Sequence, residues 1–322
     1  MSETLTPAEL HDRFGGLPYI TPYERIVALV DDDERLIELH EFHARGRCTG
    51  GAAWEVYHYA RTSPLVLDAR REGARNIFTC AEGRGELSLV PGIAGAGLEE
   101  VRIDGDEVEL TYAGLAGGGV AATICRGMAG NVISAEVHEE GGGAGLGRAT
   151  LRVPAWRKLV IAADDTDDET RGATWSTMNE IAYAIEDEGL ADYLLHTIVQ
   201  LFPDNPYRTT NCCATATVMG LPAARVGAAV ERARELLSER TFSDECGMAW
   251  TTGVRPSELA VAFAAKAKRG MVTIEEAREA AATSTELVAV TGERGCIGAM
   301  AAVAAHRDPD SAVRLGGPEA RR

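Results

Sequence analysis

The chain has 322 residues, 45% of them apolar and 25% charged, enough for one large or two ordinary domains, each with its own core. Its formal net charge of −17 argues against a duplex or tRNA binder with a broad basic face, because phosphate neutralisation supplies much of such affinity. No run of about 18 apolar residues suggests a transmembrane helix, and the acidic start MSETLTPAELHDRFGG has no signal-peptide core, so no membrane partner and a cytoplasmic location are expected.

A helix is expected over Thr6 to Phe14, closed by Gly15 and Gly16. Strand patterns then dominate. ERIVALV and RLIELHEF flank an acidic turn, and Trp54, Val56 and His58 alternate as a strand would. VRIDGDEVELTY is a hairpin around Asp104–Gly105. VAATICRG and VISAEVHE continue the strand pattern, and Gly141 to Gly147 reads as a loop. These segments predict a β-rich N-terminal domain over 1–155. The seven cysteines are odd in number and include no C-x-x-C pair, so neither a disulfide framework nor a zinc ribbon is expected, and Cys212–Cys213 reads as core packing.

The texture changes near Pro154. KLVIAA is a short buried strand, followed by a helix from about Thr174 to Glu188. Tyr193 to Phe202 and Thr209 to Gly220 read as strands, and Pro222 opens a long amphipathic helix through Arg240. A helix follows over Ser257 to Arg269, and Thr273 and Glu276 form a capping box that starts another. ELVAVTG is a strand, and Gly298 onward is helical. Strands alternating with helices predict an α/β layered region over 156–315, with a disordered tail over 316–322.

The strand KLVIAA runs into four acids in five residues, Asp164, Asp165, Asp167 and Asp168. Adjacent carboxylates repel unless they are solvated or neutralised. Magnesium is a hard cation held by one or two carboxylates together with phosphate oxygens and water. Gly172 to Thr177 would present backbone N–H groups and hydroxyls at a helix start, an anion site. Metal plus anion pocket points to nucleoside triphosphate chemistry; a solvent-facing acidic loop is the plain alternative. No Walker-type phosphate loop is present. Asn205, Arg208 and Asn211 lie in a loop that also reads as a Pro-Asn turn. FSDECG is a second acidic turn. VTGERGCIGAM carries Gly292, Gly295 and Gly298 at a strand-to-helix turn where backbone can approach a phosphate.

The ordered set is more specific than its parts. Asp164 to Asp167 with Gly172, then Pro203, Asn205, Pro206, Tyr207, Arg208 and Thr209, then Lys266, Ala267, Val272, Thr273 and Glu275 to Ala277, then Gly295 to Ala299, resembles the kinase-like and adjoining domains of archaeal agmatidine synthetase. That family uses ATP and magnesium to activate a tRNA anticodon cytidine by phosphorylation and joins agmatine to it. The resemblance implies that Asp164, Asp165 and Asp167 bind Mg-ATP, and suggests that Asp244 and Glu245 face the triphosphate. The family's phosphorylated threonine has its counterpart at Thr174, Ser176 or Thr177, or none. Unlike the family, this chain carries a β-rich N-terminal segment and neither the OB-fold nor the zinc ribbon that hold tRNA. PYITPYERIVALVDD and Cys48 to Arg70, ahead of the acids, are similar to the methanogenesis marker protein 11 family, cytoplasmic proteins of methanogenic archaea. In that segment Trp54, Tyr57, His58, Tyr59 and Arg61 read either as pocket lining or as ordinary strand packing.

The expectation is therefore a β-rich domain followed by an α/β layered, kinase-like domain with a ferredoxin-like portion. Asp164, Asp165 and Asp167 are the catalytic and metal residues, joined by Thr174 and Ser176. Gly172, Arg208, Asn211, Asp244, Glu245, Gly295 and Gly298 bind the cofactors, ATP and magnesium. The expected function is phosphoryl or nucleotidyl transfer to an acceptor of methanogen metabolism: a protein, a cofactor precursor or an RNA base. The alternatives are a non-catalytic assembly factor and, ranked last, tRNA modification.

Overall fold

A computed structural model describes residues 3–93, 95–209, 211–281 and 284–316. The expected disordered tail falls largely on 317–322, outside the described residues. The chain divides into two compact units, one ending at Trp156 and the other beginning at Arg157. Both are mixed α/β, and no helix among the described residues is long and apolar enough to cross a membrane.

In the first unit Thr6 caps the helix Pro7–Phe14, with Glu9 returning the capping bond to the Thr6 amide. Four antiparallel strands follow the order Val66–Glu72, Arg75–Ala81, Leu36–Phe42, Arg25–Asp31. Residues 145–154 of the strand Gly145–Asp164 run antiparallel between Glu107–Leu115 and Ser134–Gly142. Leu39, Phe78, Leu110, Tyr112 and Leu151 form part of one buried core.

Two expected strands of this unit are helices. Residues 49–62 are helical, with Ala52, Glu55, Tyr59 and Thr62 buried at helical spacing. Trp54 and Tyr57 are exposed, so the aromatic stretch forms an outer helix face, with Trp54 against His58 at 4.2 Å. Tyr59 alone turns inward, stacking on Phe78. VAATICRG lies in the helical run Ala116–Val120 and Ala121–Cys125. The run Gly141 to Gly147, expected as a loop, is mostly hairpin strand.

The second unit begins on residues 157–164, which pair antiparallel with Cys213–Leu221 on one side and Gly247–Thr251 on the other. Asp192–Gln200 and Glu286–Ala289 complete the two edges. Helix Thr174–Asp187 follows the first strand and Val226–Arg240 follows the third, which gives split β-α-β connectivity. These two helices bury Met178, Ile181, Ile185, Ala233 and Leu237 with Leu159 and Ile161. Helix Gly295–Ala305, apolar all round, packs on Cys213–Leu221, Gly247–Thr251 and Glu258–Ala267.

Candidate functional site

Asp164 ends the central strand of the second unit, opposite Gly247. The chain leaves the sheet through a left-handed residue, Asp165 at φ 54°, a conformation Asp tolerates better than most. The Asp165 amide donates to Asp164 Oδ1 at 2.9 Å. Thr166 is buried, and its carbonyl accepts the Phe242 N–H at 2.9 Å. Asp167 then faces back, its Oδ1 accepting from Thr174 Oγ1 at 3.2 Å and its Oδ2 from Thr209 Oγ1 at 2.8 Å. Asp168, the fourth acid, turns outward into a local turn that accepts from Thr170 and Arg171. Those bonds hold its carboxyl down at about 2.

Asp164, Asp165 and Asp167 line one cavity of about 140 Å³ with Asn205, Tyr207, Arg208, Asn211, Arg294 and Gly298. Arg294 Nε donates to Asp165 Oδ2 at 3.0 Å, and its guanidinium lies 5.1 Å from the Tyr207 ring centroid. The Asn205 side chain accepts the Tyr207 N–H at 2.9 Å, shaping the loop that brings Arg208 to the wall. Gly298 is the close approach. A Cβ there would stand 1.8 Å from Asp164 Oδ2, so any side chain would displace that carboxylate.

The electrostatics are unbalanced. Burial first, then the charges of Asp165 and Asp167, push the Asp164 carboxyl up to about 8. Burial also raises Asp165, against the pull of Arg294. Among the described residues no group of three or more His, Cys, Asp or Glu is arranged to hold a metal ion by itself. A hard cation that keeps water and phosphate in its shell needs only one or two carboxylates from the protein, and the oxygen donors on this wall are compatible with that mode.

The structure thus gathers Asp164, Asp165, Asp167, Arg208, Asn211 and Gly298 on one wall. Other expected residues stand behind it. Thr174 is buried, joined to Asp167 and Thr166, and Ser176 donates to the Ala173 carbonyl. Gly172 lies against Asp167 in a left-handed conformation. Gly295 donates its N–H to the Glu245 carbonyl, and Glu245 Oε2 accepts the Arg294 N–H at 3.3 Å, so Glu245 fixes the glycine-rich turn. Asp244 is exposed. Arg294 is the residue that sequence reading missed; its signal was its place inside that turn.

The family model of the TiaS TCKD domain matches residues 160–227, which include every cavity-lining residue from Asp164 to Cys213. The uncharacterized protein MJ0921 of Methanocaldococcus jannaschii is 43% identical over 282 residues, 87% of this chain and 93% of its own length. The chain belongs to the same family as that protein. A solved complex of TiaS with an isoleucine tRNA and ATP is similar at 25% identity and a TM-score of 0.41, over 46% of this chain and 36% of that one. Apo TiaS, the agmatidine synthetase of that tRNA, is similar at 25% identity and a TM-score of 0.39, over 46% and 35%. The likeness therefore spans little more than a third of those chains. The TiaS TCKD match supports a relation to agmatidine synthetase, and with it the expectation drawn from net charge against a nucleic-acid partner is corrected. A phosphate backbone meets the local field, not the sum over the chain.

Proposed function

We propose that this protein uses ATP to activate an acceptor on RNA, with tRNA the leading acceptor class, by phosphoryl or nucleotidyl transfer at the acid-lined cavity. The observation that carries the reading is an overlap of position: the TiaS TCKD match covers the cavity wall from Asp164 to Cys213, the part that holds the three acids, while Arg294 and Gly298 complete the wall from outside it. Asp164, Asp165 and Asp167 would hold magnesium, which when bound supplies neutralisation of phosphate charge. Arg208, Asn205 and Asn211 offer donors to phosphate oxygens from the facing loop. Arg294, held by Asp165, is a further cation at the same wall. Thr174 orients Asp167 through its hydroxyl, and Glu245 positions Arg294 through its backbone.

The finer parts of the reading are proposed with it: a kinase-like layered domain with a ferredoxin-like portion, placement in the methanogenesis marker protein 11 family, and a cytoplasmic step serving methanogenesis.

Calorimetric titration with ATP, with and without magnesium, tests the nucleotide site beside Asp167→Asn and Arg294→Gln. Binding that requires magnesium and weakens at least tenfold in both variants is expected. Incubation with α- and γ-labelled ATP and small RNA then tests the acceptor. Label on RNA, or ATP turnover accelerated by RNA, is expected. No binding at millimolar ATP would overturn the nucleotide reading, and turnover indifferent to RNA would overturn the acceptor.

A further inference from the structure

The helix Thr49–Thr62 turns one face to the core and leaves an aromatic face in solvent. Trp54, Tyr57, His58 and Arg61 are spaced three and four residues apart, so they are neighbours on that outer face. Trp54 is 39% exposed and Tyr57 56%. Their rings form one row. Trp54 lies against His58 with centroids 4.2 Å apart, His58 meets Tyr57 edge-on at 5.0 Å, and the Arg61 guanidinium lies over Tyr57 at 3.7 Å. Arg61 also donates to the Tyr57 carbonyl, which fixes it there. At about 1.5 Å per residue the row from Trp54 to Arg61 is roughly 10 Å long, the length of about three nucleotides at 3.4 Å each. Ala52, Glu55, Tyr59 and Thr62 are buried on the opposite face, so the row stands on a firm support.

The charge of this stretch runs against that of the chain. From His43 to Leu67 the sequence holds Arg45, Arg47 and Arg61 and a single acid, Glu55, in a chain of net charge −17. Glu55 is buried and pairs with Arg126 at 3.0 Å, so it presents no charge to solvent. The three arginines are exposed, and among the described residues none of them forms an ion pair. The exposed acid beside the loop, Glu24, crowds the backbone at Gly46 and pairs with none of the three. Other arginines of this chain are tied to carboxylates, Arg102 to Glu109, Arg232 to Glu188 and Arg278 to Glu293. Unpaired cations beside exposed rings suit a ligand that brings both phosphate charge and flat bases.

We propose that the outer face of the helix Thr49–Thr62 is a stacking platform for a short single-stranded segment of RNA. Bases lie on Trp54, Tyr57 and His58, and backbone phosphates meet Arg61, Arg47 and Arg45. The inference rests on the RNA reading of the nucleotide site and adds to it the surface by which the first unit grips the strand. Stacking on these rings needs bases whose faces are free, as in a loop or an unpaired end, so a duplex stem is a poor ligand for it. The rings set no hydrogen-bond code, so the platform tolerates many sequences.

The test is fluorescence anisotropy of a fluorescein-labelled single-stranded RNA 12-mer titrated with the full chain, beside the same 12-mer annealed to its complement. The single strand should bind at least tenfold more tightly than the duplex. Trp54→Ala and Tyr57→Ala should each weaken single-strand binding at least fivefold. Arg47→Gln and Arg61→Gln should each lower the log–log salt slope by about 0.7. Photo-crosslinking of a 4-thiouridine 12-mer should label the tryptic peptide Cys48–Arg61, and Mg-ATP titration of Trp54→Ala should match the parent. No RNA binding by the parent would overturn the RNA reading of the nucleotide site together with this surface. Affinity unchanged in both ring variants, or crosslinks confined to other peptides, would overturn this surface alone. A dimer that Tyr57→Ala disrupts, with RNA affinity unchanged, would give the face to a second copy of the chain instead. Should Trp54→Ala unfold early, Tyr57→Ala, at the more exposed ring, decides.

Discussion

Each unit gathers carboxylates around an arginine, and the two clusters are built in opposite ways. In the first, Glu41 and Glu55 close on Arg126, whose guanidinium also lies over Tyr23, Tyr112 and Tyr59 at 4.4, 4.6 and 5.3 Å. All of these groups are buried, and Tyr112 Oη donates to Glu41 at 2.6 Å. In the second, three carboxylates face a cavity and a single arginine bonds one of them. The first arrangement satisfies its charge internally and belongs to the fold. The second leaves charge unsatisfied toward an opening, as a site for an added cation does.

The largest way to break the contrast is Arg126→Met. It strands two carboxylates in the core and should cost about 3–5 kcal/mol, read as a lower urea midpoint. A loss under about 1 kcal/mol would mean that the cluster does not hold the unit together.

Opposite pH responses follow. Asp164 is raised from 3.8 to about 8, so its contribution is fully present below about 4 and is lost as pH climbs toward 8 in metal-free protein. Buried His40, lowered by desolvation from 6.5 to about 4, runs the other way. Its contribution is present above 6.5 and lost as pH falls toward 4, a span worth about 3 kcal/mol. Denaturation midpoints across this range should lose their alkaline slope in Asp164→Asn or with magnesium, and their acid slope in His40→Gln. Slopes of the reverse sign would sink the assignment.

Gly298→Ala pushes a methyl into Asp164 and should weaken Mg-ATP binding at least tenfold in calorimetry while leaving the first cluster untouched. The smallest effect belongs to Thr209→Val, which removes one hydrogen bond to Asp167 and should cost about 1 kcal/mol of nucleotide affinity. A full loss of binding there would make Thr209 more than a support.

Most strands and the capping box at Thr273 and Glu276 were legible because each follows from local pattern, apolar alternation in one case and a hydroxyl three residues before an acid in the other. The helix 49–62 was not. One of its four buried positions is Glu55, which an apolar pattern counts as exterior, so Trp54, Val56 and His58 imposed a false period of two. VAATICRG carries β-branched residues that favour strands, yet Gly119 lets its helix meet the backbone of Gly114 and Gly147. Arg294 was hidden for another reason. Its partner Asp165 is 129 residues away, a pairing that only the folded chain reveals.

The strand that delivers Asp164 is hemmed by neighbours on both edges. Amide hydrogens of Leu159 to Ala163 should therefore exchange with deuterium only through global opening of the unit, while those of 203–209 exchange through local fluctuation. The acids at the strand end are held by the sheet, so the facing loop that carries Asn205 and Arg208 is the wall of this cavity that is free to move.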